Sequence, residues 1–406
     1  MKFLLFGILI VGAGFDAVQA FHGPLMTSRS KFSQRNSMAA RSSVASAEVV
    51  DNTKRAVDKL KNVLEREYVS FFAPMQKEYY SEGVSFDDPM TSLAGVEAYQ
   101  NNVDMLASRT FLGKFLFEDA GIALHSVEGG DVAADGSISN IITRWTLRVT
   151  AKVLPWKPTA RFSGISVYEV SVGGSEGVQV VHQTDFWDSI NIRPGSGGEY
   201  QKVDKSIAVK DFLGQVKPEN ANAIAAGPEV PYQLLRRGDG YEIRRYPAYT
   251  VATIPYDRRD EGYDILATIT QGSNPLAPSL QKVPNSDDGE KTMSWPLSFA
   301  APGEATPAAV GKTILDRVKD PLWSVCKIET VPSKVVAVGT YNDASVGPIV
   351  RRADQQLREA CKRDGIAIPE YTEGSVKFAQ YDAIFSLGKR RGEVWIDLED
   401  GGHPWK

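Results

Sequence analysis

Between residues 51 and 80 apolar side chains return every three or four positions, at Val57, Leu60, Val63, Leu64, Tyr68 and Phe71. That is the period of one helical face, and it predicts a helix. The texture then changes. Val84 to Pro89 reads as a short strand running into an Asp-Pro turn, and Leu93 to Leu106 resumes the helical period. From Ile138 to Val149, Ala160 to Val172 and Val178 to Ile190 polar and apolar residues alternate, with turn residues between the runs, which predicts a curved antiparallel sheet. A few helices followed by a run of strands is α+β order.

Arg193 to Pro231 has linker composition, with Pro194-Gly195-Ser196-Gly197-Gly198 at one end and Ala-, Asn- and Gly-rich sequence at the other. Between them Ile207, Val209, Phe212, Leu213 and Val216 predict one amphipathic helix that docks on either flanking unit. Strand texture returns at Pro231. Asp239-Gly240 tolerates positive φ and lies between two runs rich in β-branched and aromatic residues, the strongest short-range signal of a hairpin. Pro247 interrupts the second run, so that strand is bulged or lies at an edge. Further on, Gly262 to Gln271 predicts a short amphipathic helix stopped by Gly272, and Lys334–Gly339 a strand. Val346, Ile349, Val350, Ala353, Leu357 and Ala360 form the apolar face of a helix that Gly365 terminates. Phe378 to Phe385 and Lys389 to Trp395 close the chain as a loop and a strand.

At 406 residues, two domains and some extra segments are expected. With 42% hydrophobic, 10% aromatic and 24% charged residues, the composition is that of a soluble globular protein. The formal charge of −4 hides an asymmetry: residues 1–47 carry +4, from five basic residues against Asp16, so the remainder carries −8. An acidic body argues against nonspecific nucleic-acid binding. Cys326 and Cys361 are the two cysteines, too few for a disulfide framework and without metal-ligand spacing, so they read as buried small hydrophobes.

The first 47 residues read as an address. Lys2 and the apolar run Phe3 to Val11 end in Val18-Gln19-Ala20, the pattern of a signal peptide, and the run is too short to span a bilayer. Phe21 to Ala47 has no acidic residue, seven serines and four basic residues, which is transit-peptide composition. The junction Ala20-Phe21-His22-Gly23-Pro24 resembles the signal/transit boundary of algae with complex plastids. Plastid import is therefore expected, with secretion as the alternative, and the chain has no Asn-x-Ser/Thr sequon. With no spanning segment after residue 20, membrane or lipid-body contact is expected to be peripheral.

Two resemblances organise the mature chain. Phe86-Asp87-Asp88-Pro89, Arg144-Trp145-Thr146, Leu154-Pro155-Trp156, Gly164 to Tyr168 and His182 to Asp188 are similar, in that order, to the plant and algal DUF2358 family, which implies an NTF2-like cone. The Tyr241-Glu242-Ile243-Arg244-Arg245-Tyr246-Pro247 run, the helix near Tyr263, the Tyr381-Asp382 loop and Glu393-Val394-Trp395 resemble the SOUL/haem-binding-protein family, which implies a distorted antiparallel β-barrel with two helices. The expected organisation is signal peptide 1–20, transit peptide 21–47, NTF2-like domain 50–194, linker 195–229 and SOUL domain 230–400. The SOUL resemblance implies non-covalent haem or tetrapyrrole binding, as a carrier or buffer that supplies partners such as a haem oxygenase. It also implies a groove between the first helix of that domain and the loop before the closing strand. Carried over residue by residue, the groove is lined by Tyr263, Leu266 and Ala267 on the helix and Tyr381, Ile384 and Phe385 on the loop, with Lys389 and Arg390 pairing with the propionates.

The residues themselves qualify this. Asp260 and Asp264 bring negative charge to the helix and Thr268 brings none, which disfavours propionates there. The family's Met-Thr-x-Pro-Val segment is altered to Met293-Ser294-Trp295-Pro296-Leu297, after what reads as an insertion from Pro275 to Lys291. His403 is the one histidine after residue 230, so an imidazole axial ligand is not expected, and Tyr263 or Tyr381 is the candidate near the iron. Walker, Rossmann, Gly-x-Ser-x-Gly and His-Glu-x-x-His motifs are all missing, and no metal cluster is indicated. The expectation is a binding protein rather than an enzyme. Two alternatives stand beside it: a cone-domain enzyme acting on a small apolar ligand, with Asp88, His182 and Asp185 as acid/base groups, and a structural protein of plastid lipid bodies.

Overall fold

The computed structural model describes residues 39–69, 74–217, 228–271, 275–286, 288–343, 346–381 and 391–400. The expected signal peptide and most of the expected transit peptide lie outside them. Helix α1, Ala39–Tyr68, begins upstream of the predicted helix and ends before it, and Tyr80 already opens a strand. Its apolar stripe is the predicted one as far as Tyr68, while Phe71 lies outside the described residues. Val57, Leu60, Val63 and Leu64 are buried against Val84, Phe86, Ile141, Tyr168, Val178 and Val180 of the first sheet.

That sheet has six strands: β1 Tyr80–Asp87, β2 Ser92–Ala94, β3 Phe117–Gly129, β4 Ile141–Ala151, β5 Thr159–Val172 and β6 Val178–Trp187, in the order β2-β1-β6-β5-β4-β3. Helices α2, Val96–Leu106, and α3, Phe111–Leu116, fall between β2 and β3. Only β1 and β6 run parallel; the other neighbours are antiparallel. Strand β3 has no clean alternation because it is a half-exposed edge whose pairing slips at Glu118/Gly121 and at Leu124/Ser126. Such bulges scramble the period of two.

After β6 the short helix α4, Asp188–Asn191, leads to α5, Lys205–Gln215, within the predicted linker. Helix α5 docks on the first unit: Ala208 and Phe212 join Trp145, Phe162 and Trp187 in one core. Trp156 donates its indole N–H to the Val216 carbonyl at 3.0 Å.

The second unit is an antiparallel sheet of nine strands: β7 Gln233–Gly238, β8 Tyr241–Tyr246, β9 Tyr249–Pro255, β10 Ser279–Pro284, β11 Thr292–Phe299, β12 Lys327–Val331, β13 Lys334–Tyr341, β14 Ser375–Gln380 and β15 Gly392–Leu398. The hairpin turn at Asp239-Gly240 is as predicted, with Gly240 at φ +84°. The order β12-β9-β11-β10-β14-β15-β13-β8-β7 is linear, and among the described residues no pairing joins its ends. The sheet is therefore open rather than closed as the barrel that the resemblance implied. The apparent insertion at 275–291 contains β10, a central strand, and Pro296 sits at a register shift of β11, where its missing N–H is tolerated. Helices α6, Arg259–Thr270, α7, Lys312–Val318, and α8, Gly347–Arg363, complete the unit. Gly365, at φ +73°, ends α8 as predicted, and a Cβ there would also stand 2.8 Å from the Cα of Gly197.

A buried ion pair joins the two units. Arg144 on β4 donates two bonds to Asp188 at 2.8 and 2.5 Å, and both side chains are enclosed. Asp188 also accepts from the Tyr200 and Ser163 hydroxyls, each at 2.5 Å. Ser163 in turn accepts the backbone N–H of Arg237 on β7 at 2.6 Å, and the Arg237 guanidinium pairs with Asp211 on α5 at 2.9 and 3.0 Å. Burial works against the Asp188 charge, but Arg144 and Arg236 outweigh it and hold the carboxyl below its ordinary range. Its contribution to stability is thus present above pH of about 4 and is lost on acidification through the lower native value. Asp188→Ala, which strands the Arg144 charge, is expected to destabilise the chain by about 3–5 kcal/mol in denaturant titrations at pH 7. A loss below about 1 kcal/mol would show that the joint does not depend on this pair.

Candidate functional site

The resemblance placed a groove between α6 and the segment between β14 and β15, of which Tyr381 and Arg391 are described. Tyr263 is half-buried on α6, beside Trp295 with ring centroids 5.9 Å apart. Its hydroxyl is 2.6 Å from Ser279 Oγ and accepts from Gln281 Nε2 at 3.1 Å. Ser279 also donates to the carbonyl of Gln380 at 3.3 Å, so one serine links the Tyr263 hydroxyl to the residue preceding Tyr381. Tyr381 is buried, donates to Glu393 Oε2 at 2.8 Å and carries the Arg391 guanidinium 3.7 Å above its ring. Both phenol hydroxyls are therefore engaged within the protein.

The remaining expected residues divide. Leu266 is fully buried in the core with Ile254, Ile269 and Met293, whereas Ala267 faces solvent. Ile384, Phe385, Lys389 and Arg390 lie outside the described residues. The structure does not bring the two tyrosines together: Tyr263 packs with Trp295 on the helix-covered face of the sheet, whereas Tyr381 belongs to the core on the opposite face with Tyr249 and Trp395. Among the described residues no group of three or more His, Cys, Asp or Glu side chains is placed to hold a metal ion.

Glu393 underlies Tyr381. It is fully buried on β15 and accepts from Arg244 Nη1 at 3.0 Å, Trp395 Nε1 at 2.9 Å and Arg391 Nη2 at 3.2 Å. Burial opposes its charge, yet Arg244 and Arg391 hold its carboxyl below the ordinary range. This network escaped the sequence reading, because Arg244 stands in the charged run Tyr241-Glu242-Ile243-Arg244-Arg245-Tyr246 and Glu393 follows the basic run ending at Arg391.

The first unit holds a second candidate. A largely apolar cavity of about 200 Å³ lies between α1, α2 and the sheet, lined by Phe86, Trp145 and Phe162, with Glu67, Asp88 and Asp185 supplying carboxyls. Burial pushes Asp185 up to about 7, only partly offset by bonds from Gln183 and Ser166, and the nearby Asp88 adds to the rise. Burial also pushes Glu67 up to about 7 and Asp88 up to about 6. Gln183 connects the Tyr99 hydroxyl, which it accepts, to Asp185, to which it donates at 2.7 Å. Asp88 accepts the Met90 and Thr91 amides at 2.6 and 2.5 Å, an Asx turn that also orients its carboxyl.

The sequence reading grouped His182 with these acids, and the structure separates it. Gln183 and Asp185 line the cavity; His182 does not, because strand neighbours face opposite sides. It bonds Ser85 Oγ at 2.6 Å and Thr184 Oγ1 at 2.8 Å, with Asp87 3.8 Å away. Glu67, Tyr80 and Tyr99 were not singled out, since residues on α1, β1 and α2 meet here only in three dimensions.

Residues 58–176 match the family model described as an uncharacterized conserved protein, DUF2358, and residues 227–397 match that described as SOUL heme-binding protein. The SOUL match supports haem or tetrapyrrole binding in general. No curated protein matches the chain. Similar solved structures include the C-terminal domain of EcmrR, 10% identical over 41% of this chain and 98% of that one, with a TM-score of 0.28. A hydrolase from Listeria innocua is 11% identical over 43% of this chain and 94% of its own, at 0.29. An NTF2-like superfamily protein from Salmonella enterica is 14% identical over 38% and 99%, at 0.21. At these identities and scores none bears on what the chain does.

The raised Asp185 pKa makes a signed prediction. The native state holds this proton where the unfolded chain has lost it, so the group's stabilising contribution is complete below pH of about 4 and is lost as pH rises toward 7. Asp185→Asn removes the penalty of ionising there. The variant is expected to exceed the wild type by roughly 2 kcal/mol at pH 8 and to lose that advantage at pH 5. Parallel denaturant titrations at the two pH values check this, and a gap that does not change with pH would show that Asp185 ionises freely.

Proposed function

We propose that this chain, a DUF2358 segment followed by a SOUL segment, binds haem or another tetrapyrrole reversibly through its second unit and works as a carrier or buffer. The match of residues 227–397 to the SOUL family carries the proposal. Near α6 the described residues include the Tyr263 and Trp295 rings, which suits a ring held by packing, while Arg391 is already paired with Glu229 and Glu393. Both phenols are engaged, so no axial ligand is assigned. A charge-assisted bond contributes about 1.5–3 kcal/mol, whereas micromolar binding needs about 8 kcal/mol, so contact with the ring face supplies the larger share. The tetrapyrrole itself would bring its conjugated ring and, as haem, its iron. The chain's part is to hold it and to limit its exposure to water. The presequence pattern supports a plastid setting, with a haem oxygenase as one candidate acceptor.

A second reading belongs to the first unit: an acid/base enzyme acting on a small apolar molecule. The observation that favours it is a largely apolar cavity with three carboxyls in its lining, two of which burial pushes up to about 7.

Hemin titration followed by Soret absorbance, with protoporphyrin IX as the metal-free ring, separates these readings. Saturable one-to-one binding of both rings, within about threefold in affinity, is expected for a site without iron ligation. Binding of hemin alone would require a ligand at the iron. Binding of neither would remove the carrier and leave the cavity of the first unit as the functional site.

A further inference from the structure

Helices α6 and α8 cover one face of the second sheet, where they pack on Ala252, Ile254 and Met293 and on Val335, Ala337 and Val394 respectively. The opposite face carries a trough. Register sets Lys377 between Lys282 of β10 and Trp395 of β15, and Leu280 opposite Ser294 of β11. Directly opposed residues of an antiparallel ladder share a face. Tyr249, Val251, Leu280, Lys334 and Lys377 line the trough, which encloses about 460 Å³. This lies within the range of roughly 300–1,000 Å³ common to small-molecule sites.

Two features of the trough lack a counterpart among the described residues. The Tyr249 side chain is 1% exposed, and its hydroxyl has no hydrogen-bond partner. Such a group is unfavourable to bury unless something arrives to pair with it. Close to it, Lys334 and Lys377 share one carboxylate, Asp397, each at 3.1 Å. Two ammonium groups thus face one counter-charge. On the rim, Lys282 and Lys327 are balanced by Glu290 and Glu329. Burial, and then Lys334, hold Lys377 below its ordinary pKa, the condition of a cation short of a partner. Between these groups the floor is apolar, since Val251 and Leu280 are buried in the same core as Tyr249 and Trp395.

We propose that this trough binds an apolar molecule bearing a carboxylate, which accepts from the Tyr249 hydroxyl and pairs with Lys377 and Lys334 while its apolar body lies over Val251 and Leu280. The site is on the other face of the sheet from Tyr263 and α6. Two sources supply this chemistry, a porphyrin propionate and a fatty acid. The porphyrin source rests on the tetrapyrrole reading of the second unit, and the fatty-acid source does not.

The test titrates the full chain with palmitate and, separately, with protoporphyrin IX, following tryptophan fluorescence, in the wild type and in Tyr249→Phe, Lys377→Gln and Lys377→Arg. Tyr249→Phe keeps the ring and removes only the unpartnered hydroxyl, so its fold is preserved. Lys377→Arg keeps the charge. At least one ligand is expected to bind one to one, weakened about tenfold by Tyr249→Phe and by Lys377→Gln and largely retained by Lys377→Arg. Displacement of palmitate by protoporphyrin IX would support a common seat. Affinities unchanged in both weakening variants, or no binding of either ligand, would overturn the site. Protoporphyrin binding that ignores both substitutions, without palmitate binding, would sink the trough and leave the tetrapyrrole reading standing. Palmitate binding that needs Lys377, without porphyrin binding, would do the reverse.

Discussion

The contact between Arg144 and Asp188 is the constraint on which the arrangement of the two units depends. Asp188 sits where β6 turns into α4, and Arg144 reaches it from the middle of β4. A guanidinium and a carboxylate withdrawn from water together call for partners to their remaining donors and acceptors, and among the described residues Arg144 Nε is left without one. Tyr200 comes from the connecting segment, Ser163 from β5, and Arg144 also donates to the Leu235 carbonyl on β7 at 3.5 Å. The first strand of the second sheet is tied to this cluster by the Arg237 N–H to Ser163 at 2.6 Å and by the Leu235 carbonyl, which accepts from Arg144 at 3.5 Å. Helix α5, held by apolar contacts to the first unit and by Asp211 to Arg237, closes the same joint from the side.

The two units treat buried charge in opposite ways, and the difference bears on what each can do. In the second, Glu393 is surrounded by Arg244, Arg391, Tyr381 and Trp395 and stays ionised. A carboxylate satisfied on all sides is a structural element with little capacity left for exchange with a ligand. In the first, Glu67 and Asp185 have no cation within bonding distance among the contacts that fix them, and burial leaves them protonated near neutral pH. Neutral acids in an apolar cavity can still give or take a proton. The same desolvation is thus compensated in one unit and retained in the other.

The open edge-to-edge order of the nine-stranded sheet leaves its two faces unequal. Helices cover one, and the other holds an aromatic core around Tyr246, Tyr249 and Trp395 that gives way to the trough at its lysine-bearing end. Most of that face is itself core, with Tyr246, Tyr249 and Trp395 buried, and at the trough Lys377 carries its stem along the Trp395 ring, 5.9 Å from ammonium to centroid.

Much of the architecture was legible in the residues alone, because local chemistry decides it. The Asp239-Gly240 hairpin, the apolar stripes of α1 and α8, and the stop at Gly365 follow from periodicity and from backbone freedom that operate within a few residues. The α+β order and both family resemblances rest on such local runs too. What the tertiary structure decided is what depends on distant residues meeting. Bulges hid β3 from its own alternation, and pairing with β11 and β14 made a central strand of Ser279–Pro284, whose sequence alone read as an insertion. The side of β6 on which each residue falls separated His182 from Asp185, and the lines of contact brought Glu67 to the cavity from a different helix. Charge within a strand does not name its partner: Arg144 and Asp188, or Arg244 and Glu393, find each other across 44 and 149 residues of chain, a distance over which no local rule acts.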